Sequence, residues 1–177
     1  MTDKDFDIKI IDLNWAQKED DPTDLCAHGH VHVKIGNEVV ADKDTFELTL
    51  SSTALHLMRT ITCDYKKGDF GNQLLPCCGH FLIADETMDF ITICGCPSGI
   101  DWTIIHIDDQ NIKHITERGQ EAIISKEKYI KLVLDFADQI EQFYKMSKSK
   151  IIPTDDFDRR GYLAFWNEWR ILRDPWD

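Results

Sequence analysis

The sequence predicts an α+β fold, in which an antiparallel sheet of several hairpins packs with about three helices, the last two of them C-terminal. Short segments that alternate apolar and polar residues dominate before residue 125, whereas helical periodicity dominates after it. The order of strands, one helix, more strands and two helices is typical of antiparallel sheets and not of alternating βαβ units. The 177 residues are 42% hydrophobic and 29% charged, which predicts a single domain over residues 1–177.

The first elements follow from local patterns. The segment DFDIKIIDLNW (5–15) alternates apolar and charged residues and predicts a half-buried strand. Gly36-Asn37 lies between β-branched runs and predicts a tight hairpin turn, and residues 45–50 (TFELTL) predict a further strand. A helical stripe follows, with Ser51 as the expected N-cap and an end expected near Tyr65.

The second half contains a hairpin and two helices. Residues 101–107 and 111–116 are β-branched and flank a polar turn, which predicts another antiparallel pair. From Ser125 onwards, apolar residues recur at helical spacing and predict a long helix, which ends in a polar linker, KMSKSK. Thr154 is the expected N-cap of the last helix, and Pro175 is expected to stop it.

The negative charge of the chain indicates which kinds of partner it can bind. The formal net charge is −12 and the isoelectric point is about 4.9. A surface this acidic repels phosphate, so we expect neither nucleic acid nor an anionic membrane as a ligand, and a basic protein is the natural complement. The acidic start, MTDKDFDIK, has no apolar signal region, and we therefore expect a cytoplasmic protein. In that compartment its six cysteines are expected to be thiols or metal ligands.

Four of the six cysteines lie in PCCGHFLIADETMDFITICGCPSG (76–99). If strands 80–84 and 90–94 pair across their five-residue loop, one sheet face carries four zinc-type ligands. These are Cys78, His80, Cys94 and Cys96. Residues two apart on a strand are roughly 6.5–7 Å apart, however, whereas sulfurs on one zinc lie within about 4 Å. Because both faces are also apolar, the preferred interpretation is a central, buried hairpin with structural thiols; zinc is the alternative, and a reactive thiol is a third possibility.

No other motif indicates catalysis. The row Cys26, His28, His30 and His32 occupies one face of a strand, which favours a solvated face that gains positive charge near pH 6. Nucleophile elbows, P-loops, zinc-protease motifs and dinucleotide fingerprints are missing from the sequence. Nothing local activates Cys26 or Cys77 as a nucleophile, and we expect a binding protein, not an enzyme.

The last helix is rich in aromatic residues. Tyr162, Phe165, Trp166, Trp169 and Leu172 form an apolar stripe that is expected to dock on the domain. The same segment, with its flanking acidic residues, also has the composition of a partly exposed binding edge. A glycine within this helix, at position 161, is expected to let it approach the sheet closely.

The C-terminal half, with GIDW (99–102) and FWNEW (165–169) as its most specific words, resembles small bacterial proteins of toxin–immunity loci, including contact-dependent inhibition systems. The resemblance implies a cytoplasmic protein that binds and neutralises one cognate toxin. We expect acidic side chains to meet the Lys/Arg-lined cleft of a basic toxin, commonly a nuclease. The candidate contact residues are Glu19, Asp20, Asp21, Asp24, Asp155, Asp156, Asp158, Trp166 and Glu168. A zinc-binding protein or metalloenzyme is the alternative, and a subunit of a larger assembly is a third hypothesis.

Overall fold

The computed structural model describes residues 6–78 and 81–176, and within them it confirms the α+β fold class. The strands are β1 (Phe6–Asn14), β2 (His28–Ile35), β3 (Glu38–Ala41), β4 (Leu48–Thr49), β5 (Phe81–Ala84), β6 (Ile91–Cys94), β7 (Trp102–His106), β8 (Asn111–Thr116) and β9 (Glu121–Ser125). The helices are α1 (Leu50–Arg59), α2 (Lys126–Met146) and α3 (Asp156–Arg173), and a short 3-10 turn follows at Asp174–Trp176. None of the helices in the described ranges has the length and apolarity needed to cross a bilayer.

The strands form three antiparallel sheets. One has the order β1-β2-β3 with β4 paired to the start of β2, the second is β7-β8-β9, and the third is the hairpin β5-β6. The turn at Gly36-Asn37 is confirmed, with Gly36 in the left-handed conformation at φ 61°. Strand β9 was not expected, because its run EAIIS (121–125) lies directly before a helix cap and is too short to show a clear period.

Helix α1 differs from its expected bounds and is buried on every side. It begins at Leu50 after Thr49 and ends at Arg59, so the expected N-cap at Ser51 and the expected end near Tyr65 are both wrong. All ten residues are buried, polar ones included, because sheets and helices cover the whole circumference. Local periodicity predicted this helix but does not define the bounds of a helix that is surrounded in this way. Similarly, Asp155 and not Thr154 is the N-cap of α3.

The cysteine-rich hairpin lies at the edge of the fold, which corrects the expectation that both of its faces are buried. One face of β5-β6 packs on α3, where a Cβ on Gly161 would lie 1.9 Å from the carbonyl oxygen of Leu82. The expected close approach at this glycine is therefore confirmed. The other face carries Phe81, which is 55% exposed, and Ile83. Phe81 and Ile83 are therefore apolar side chains on a largely exposed face, which the described residues do not bury.

A buried ion pair connects α1, β6 and α3. Arg59 donates through Nε and Nη2 to the two carboxylate oxygens of Glu168, at 2.7 and 2.8 Å. The backbone of Ile91 completes the network, since its N–H donates to Glu168 at 2.9 Å and its C=O accepts from Arg59 at 2.6 Å. The guanidinium carbon lies 4.2 Å from the ring centroid of Phe90 and 5.1 Å from that of Phe70. Arg59 is 5% exposed and Glu168 is 3% exposed.

We expect Glu168→Gln to lower the free energy of unfolding by about 3–5 kcal/mol, because it leaves the buried Arg59 guanidinium without its counter-charge. Denaturant unfolding followed by circular dichroism measures this change. Glu127→Gln, at an exposed position of α2, is the matched control and should change stability by less than about 0.5 kcal/mol. Equal effects of the two substitutions would contradict a stabilising role for the network.

Two buried histidines are held in the neutral form. The indole N–H of Trp102 donates to Nδ1 of His114 at 3.0 Å, and Nδ1 of His56 lies 2.9 Å from the carbonyl oxygen of Gln73. Burial, with a smaller contribution from the positive charge of Arg59, lowers the pKa of His56 to about 3. Burial likewise lowers the pKa of His114 to about 3. Acid therefore protonates these side chains more readily in the unfolded chain than in the folded protein.

The protein should consequently lose stability as the pH falls below about 6.5, the pKa of an unfolded histidine. Well below pH 6.5 each of the two histidines contributes about 1.4 kcal/mol per pH unit, so together they remove about 3 kcal/mol between pH 6.5 and pH 5. His114→Asn keeps an acceptor for Trp102 but removes one titrating group, and it should reduce this pH dependence. Measuring the free energy of unfolding at several pH values gives its slope with pH. His32→Asn, at a half-exposed position, is the control. A slope unchanged by His114→Asn would refute this account.

Candidate functional site

The acidic loop between β1 and β2, residues 15–27, is held firmly against the end of α2. Trp15 is buried, and its ring lies 4.7 Å from that of Phe143 and 5.2 Å from that of Tyr144. The hydroxyl of Tyr144 donates to the carbonyl of Leu25 at 2.7 Å and accepts the N–H of Ala27 at 3.1 Å. The loop thus has a defined conformation despite its polar sequence.

The carboxylates of this loop have a structural as well as an electrostatic role. Asp24 accepts the backbone N–H groups of Ala16 at 2.7 Å and Cys26 at 3.2 Å. Asp21 accepts both the backbone N–H and the hydroxyl of Thr23 at 2.8 Å, and these bonds lower the pKa of Asp21. Both carboxylates therefore order the loop, and the lowered pKa of Asp21 favours its ionised form.

A lysine-rich segment after α2 lies against the same loop. The backbone N–H of Lys148 donates to Asp20 at 2.7 Å, and this bond, with a further one from Lys150, lowers the pKa of Asp20. The Lys150 ammonium lies 3.2 Å from the ring centroid of Trp15 and donates to the carbonyl of Asp21 at 2.9 Å. The segment expected to be a linker without structure of its own is therefore ordered by the acidic loop, and it neutralises part of that loop's charge.

The second acidic cluster begins α3. Asp155 is the N-cap and accepts the backbone N–H groups of residues 157 and 158 at 3.0 and 3.2 Å. Asp156 forms an ion pair with Arg159 one turn further on. Asp158 is exposed and lies in the first turn, where a negative charge is stabilised by the helix dipole.

The fold brings the two clusters to one surface groove, called here the acidic groove. It has a volume of about 320 Å³ and receives carboxylates from both clusters, Asp24 and Asp158. Its other walls include Cys26, Leu82, Pro153 and Tyr162.

Two exposed aromatic residues are next in sequence to residues that line the acidic groove. Phe81 precedes the groove residue Leu82 in β5, and Phe157 precedes the groove residue Asp158 in α3. The two rings lie 6.4 Å apart and are 55% and 48% exposed. The groove thus has an acidic residue from each cluster in its lining, and exposed aromatic rings are carried by neighbouring residues of β5 and α3, a combination suited to a basic protein surface.

Two of the candidate contact residues on α3 lie elsewhere. Glu168 is not a surface carboxylate, because it is paired with Arg59 in the core. Trp166 is partly buried in an aromatic cluster, with its ring 4.9 Å from Tyr144 and 5.3 Å from Trp169. Helical spacing contained a signal for Glu168, because it lies three residues after the buried Phe165 and so on the apolar face.

The cysteines that lie together in the structure are not the set expected from the sequence. Cys77 and Cys96 form a disulfide, which corrects the expectation that all six cysteines are thiols or metal ligands, and Cys78 Sγ lies 3.6 Å from Cys77 Sγ. The expected register is also wrong, since Ala84 pairs with Ile91 and Cys94 pairs with residue 81. His80 lies outside the described residues. Of the expected zinc ligands, Cys78 and Cys96 come together, and Cys94 is not part of this cluster.

The remaining histidines and thiols show no catalytic pairing within the described residues. Burial raises the pKa of Cys26 to about 12, so this thiol stays protonated and is a poor nucleophile. His28, His30 and His32 share a half-buried face of β2, and His30 pairs with Asp12 at 3.0 Å. Burial lowers the pKa of His28, so this side chain gains its charge at a more acidic pH than an exposed histidine.

Comparison with known protein families, curated proteins and solved structures finds no match to this chain. The resemblance to immunity proteins therefore stays a prediction.

Sequence reasoning did not find Leu82, Pro153 and Tyr162 as parts of the acidic groove. They belong to a hairpin, a linker and a helix, and only the tertiary contacts place them together. The cysteine cluster had a detectable signal in the adjacent pair Cys77-Cys78, but the assumed strand register directed attention to Cys94.

The disulfide predicts a distinct pattern of thiol modification. For protein that has been air-oxidised, iodoacetamide in denaturant without reductant should modify the four free cysteines and leave the disulfide pair unmodified; after reduction it should modify all six. Peptide mass mapping identifies the modified positions. Modification of all six cysteines before reduction would contradict the Cys77–Cys96 bond. The free cysteines are Cys26, Cys63, Cys78 and Cys94.

Proposed function

We propose that this chain is a cytoplasmic immunity-type protein that binds a basic protein toxin at the acidic groove and neutralises it by covering its active cleft. The observation that carries the proposal is that two acidic clusters, far apart in sequence, meet at one groove through Asp24 and Asp158. The net charge of −12 gives the same preference for a basic partner.

The groove suits recognition of a lysine or arginine side chain. Its volume of about 320 Å³ is sufficient for a long basic side chain, and its carboxylates offer charge-assisted hydrogen bonds. The exposed rings of Phe81 and Phe157 supply apolar contact area beside these charges. Aromatic anchors surrounded by polar groups are typical of the residues that dominate binding energy.

The groove is also preorganised. Asp24 is held by two backbone N–H groups, and Tyr144 holds the loop that carries it. A partner therefore binds without first ordering this loop, so less conformational entropy is lost on association. Long-range attraction between the acidic surface and a basic toxin increases the association rate, most strongly at low salt.

Neutralisation follows from the chemistry of the partner. A toxin that acts on nucleic acid needs a cleft lined with lysine and arginine to hold phosphates. The acidic groove offers carboxylates to the same side chains, so substrate and immunity protein compete for one surface.

The experiment begins with purification of the tagged chain from its own host, together with any protein bound to it. The bound protein is identified, purified separately and then recombined with the purified chain. Coexpression of that protein in bacteria, with and without the chain, measures toxicity and protection. Charge reversal at Asp158, which lines the groove, and at Glu19, an exposed acid of the loop that carries Asp24, should weaken binding at least about tenfold at low salt, mainly through slower association. The double variant is Glu19→Lys with Asp158→Lys. The difference should shrink at high salt.

The matched control reverses two exposed acids near the start of α2, with Asp109→Lys in the turn between β7 and β8 and Glu127→Lys in the first turn of the helix. Helix α2 is 21 residues long, so these charges lie about 30 Å from the groove and should affect affinity far less. Equal losses from the two double variants would argue against the groove as the contact surface. A harmless partner would instead favour a subunit of a larger assembly.

A further inference from the structure

Three cysteine sulfurs meet at the open end of the β5-β6 hairpin. Those of Cys77, Cys78 and Cys96 all lie within 4.8 Å of one another, and all three residues are half-buried. Cys77 and Cys78 precede β5, whereas Cys96 follows β6. The strands come close here because position 95 is glycine: a Cβ on Gly95 would lie 1.9 Å from the carbonyl oxygen of Cys78. The acidic groove does not include these sulfurs.

The spacing of these sulfurs is that of ligands on one metal ion. Two thiolates bound to a tetrahedral zinc at about 2.3 Å are roughly 3.8 Å apart. Cys78 Sγ is already 3.6 Å from Cys77 Sγ. Once the Cys77–Cys96 bond is reduced, a small separation of its two sulfurs produces a set of three with this spacing.

One N–H donor contacts a sulfur of the cluster, and a second donor, unpartnered in the part of the chain that the structure describes, lies beside Gly95, the residue before Cys96. The backbone N–H of Cys96 donates to Cys78 Sγ at 3.3 Å, as N–H groups do to metal-bound sulfurs. The side-chain nitrogen of Asn72 is buried and has no hydrogen-bond partner among the described residues. It lies 3.2 Å from the position that a Cβ on Gly95 would occupy. A buried donor without an acceptor is costly, and we expect Asn72 to gain a thiolate acceptor when the cluster binds a metal ion.

We propose that reduction of the Cys77–Cys96 disulfide converts this cluster into a three-thiolate site, formed with Cys78, for a thiophilic metal ion of the zinc class. The fourth coordination position is then open to water or to an external ligand. This ligand set replaces the four-residue set that included Cys94.

The reduction uses a dithiol. One thiolate of the dithiol attacks a sulfur of the Cys77–Cys96 bond and forms a mixed disulfide, and its second thiol then displaces the protein sulfur. The dithiol leaves as a disulfide, and two electrons and two protons remain on the protein as two thiols. Zn²⁺ then binds three thiolates, and the three thiol protons pass to solvent. The cytoplasm maintains dithiols of this kind, so the reduced form is the one expected there.

The test titrates Zn²⁺ into the full chain after anaerobic reduction with a dithiol and removal of that reductant. Native mass spectrometry measures stoichiometry, a chromophoric chelator measures affinity by competition, and Co²⁺ in place of Zn²⁺ reports thiolate ligation through its charge-transfer absorption. The reduced protein should bind one equivalent, and the oxidised protein none. Asn72→Ala should weaken binding about 10–100-fold, and Cys78→Ser should weaken it further.

Matched controls lie in the same chain. Cys94→Ser and Cys63→Ser remove thiols outside the cluster and should leave zinc affinity unchanged. Circular dichroism checks that each variant is folded, and Cys77→Ser is a second way to remove a ligand if Cys78→Ser does not fold. The proposal is overturned if the reduced protein binds no zinc, or if Cys94→Ser weakens binding as much as Cys78→Ser.

Discussion

The buried pair of Arg59 and Glu168 is the interaction on which the rest of the structure depends. It joins the central helix α1 to α3, and through the backbone of Ile91 it also holds β6. Burying two charges is costly, and the hydrogen bonds among Arg59, Glu168 and Ile91 offset that cost only when the three elements keep this arrangement. The hairpin and the start of α3 take their positions from this arrangement. Because one side of the acidic groove and the cysteine cluster belong to those elements, both candidate sites depend on it.

Carboxylates serve two separate purposes in this protein. Some are part of the architecture: Glu168 neutralises a buried guanidinium, Asp20 orders the lysine-rich segment, and Asp155 caps α3. Others, such as Asp158, are exposed and have no such structural role among the described residues. A net charge of −12 therefore overstates the charge that is free to attract a partner. The acidic groove gathers part of the unpaired negative charge in one place, and the low-dielectric walls of the groove strengthen the electric field of that charge.

Much of the fold was predictable because it follows from local chemistry. Alternation identified β1, and the turn at Gly36-Asn37 identified the β2-β3 hairpin. Long helical stripes identified α2 and α3, and Gly161 indicated the close contact with the sheet. The bounds of α1 and the existence of β9 were not predictable, since burial on all sides and short length remove the periodicity on which such reasoning depends.

The candidate sites also separate what local sequence determines from what tertiary contacts determine. The sequence by itself determined the α+β class, the acidic character and the residues that carry charge or sulfur, because these depend on composition and on local spacing. Only the tertiary structure decided which of them act together. It buried Glu168 beside Arg59, brought Asp24 to Asp158, and grouped Cys96 with Cys77 and Cys78. The physical reason is that strand register and helix packing are set by contacts between distant segments, and a shift of one residue changes which side chains share a face.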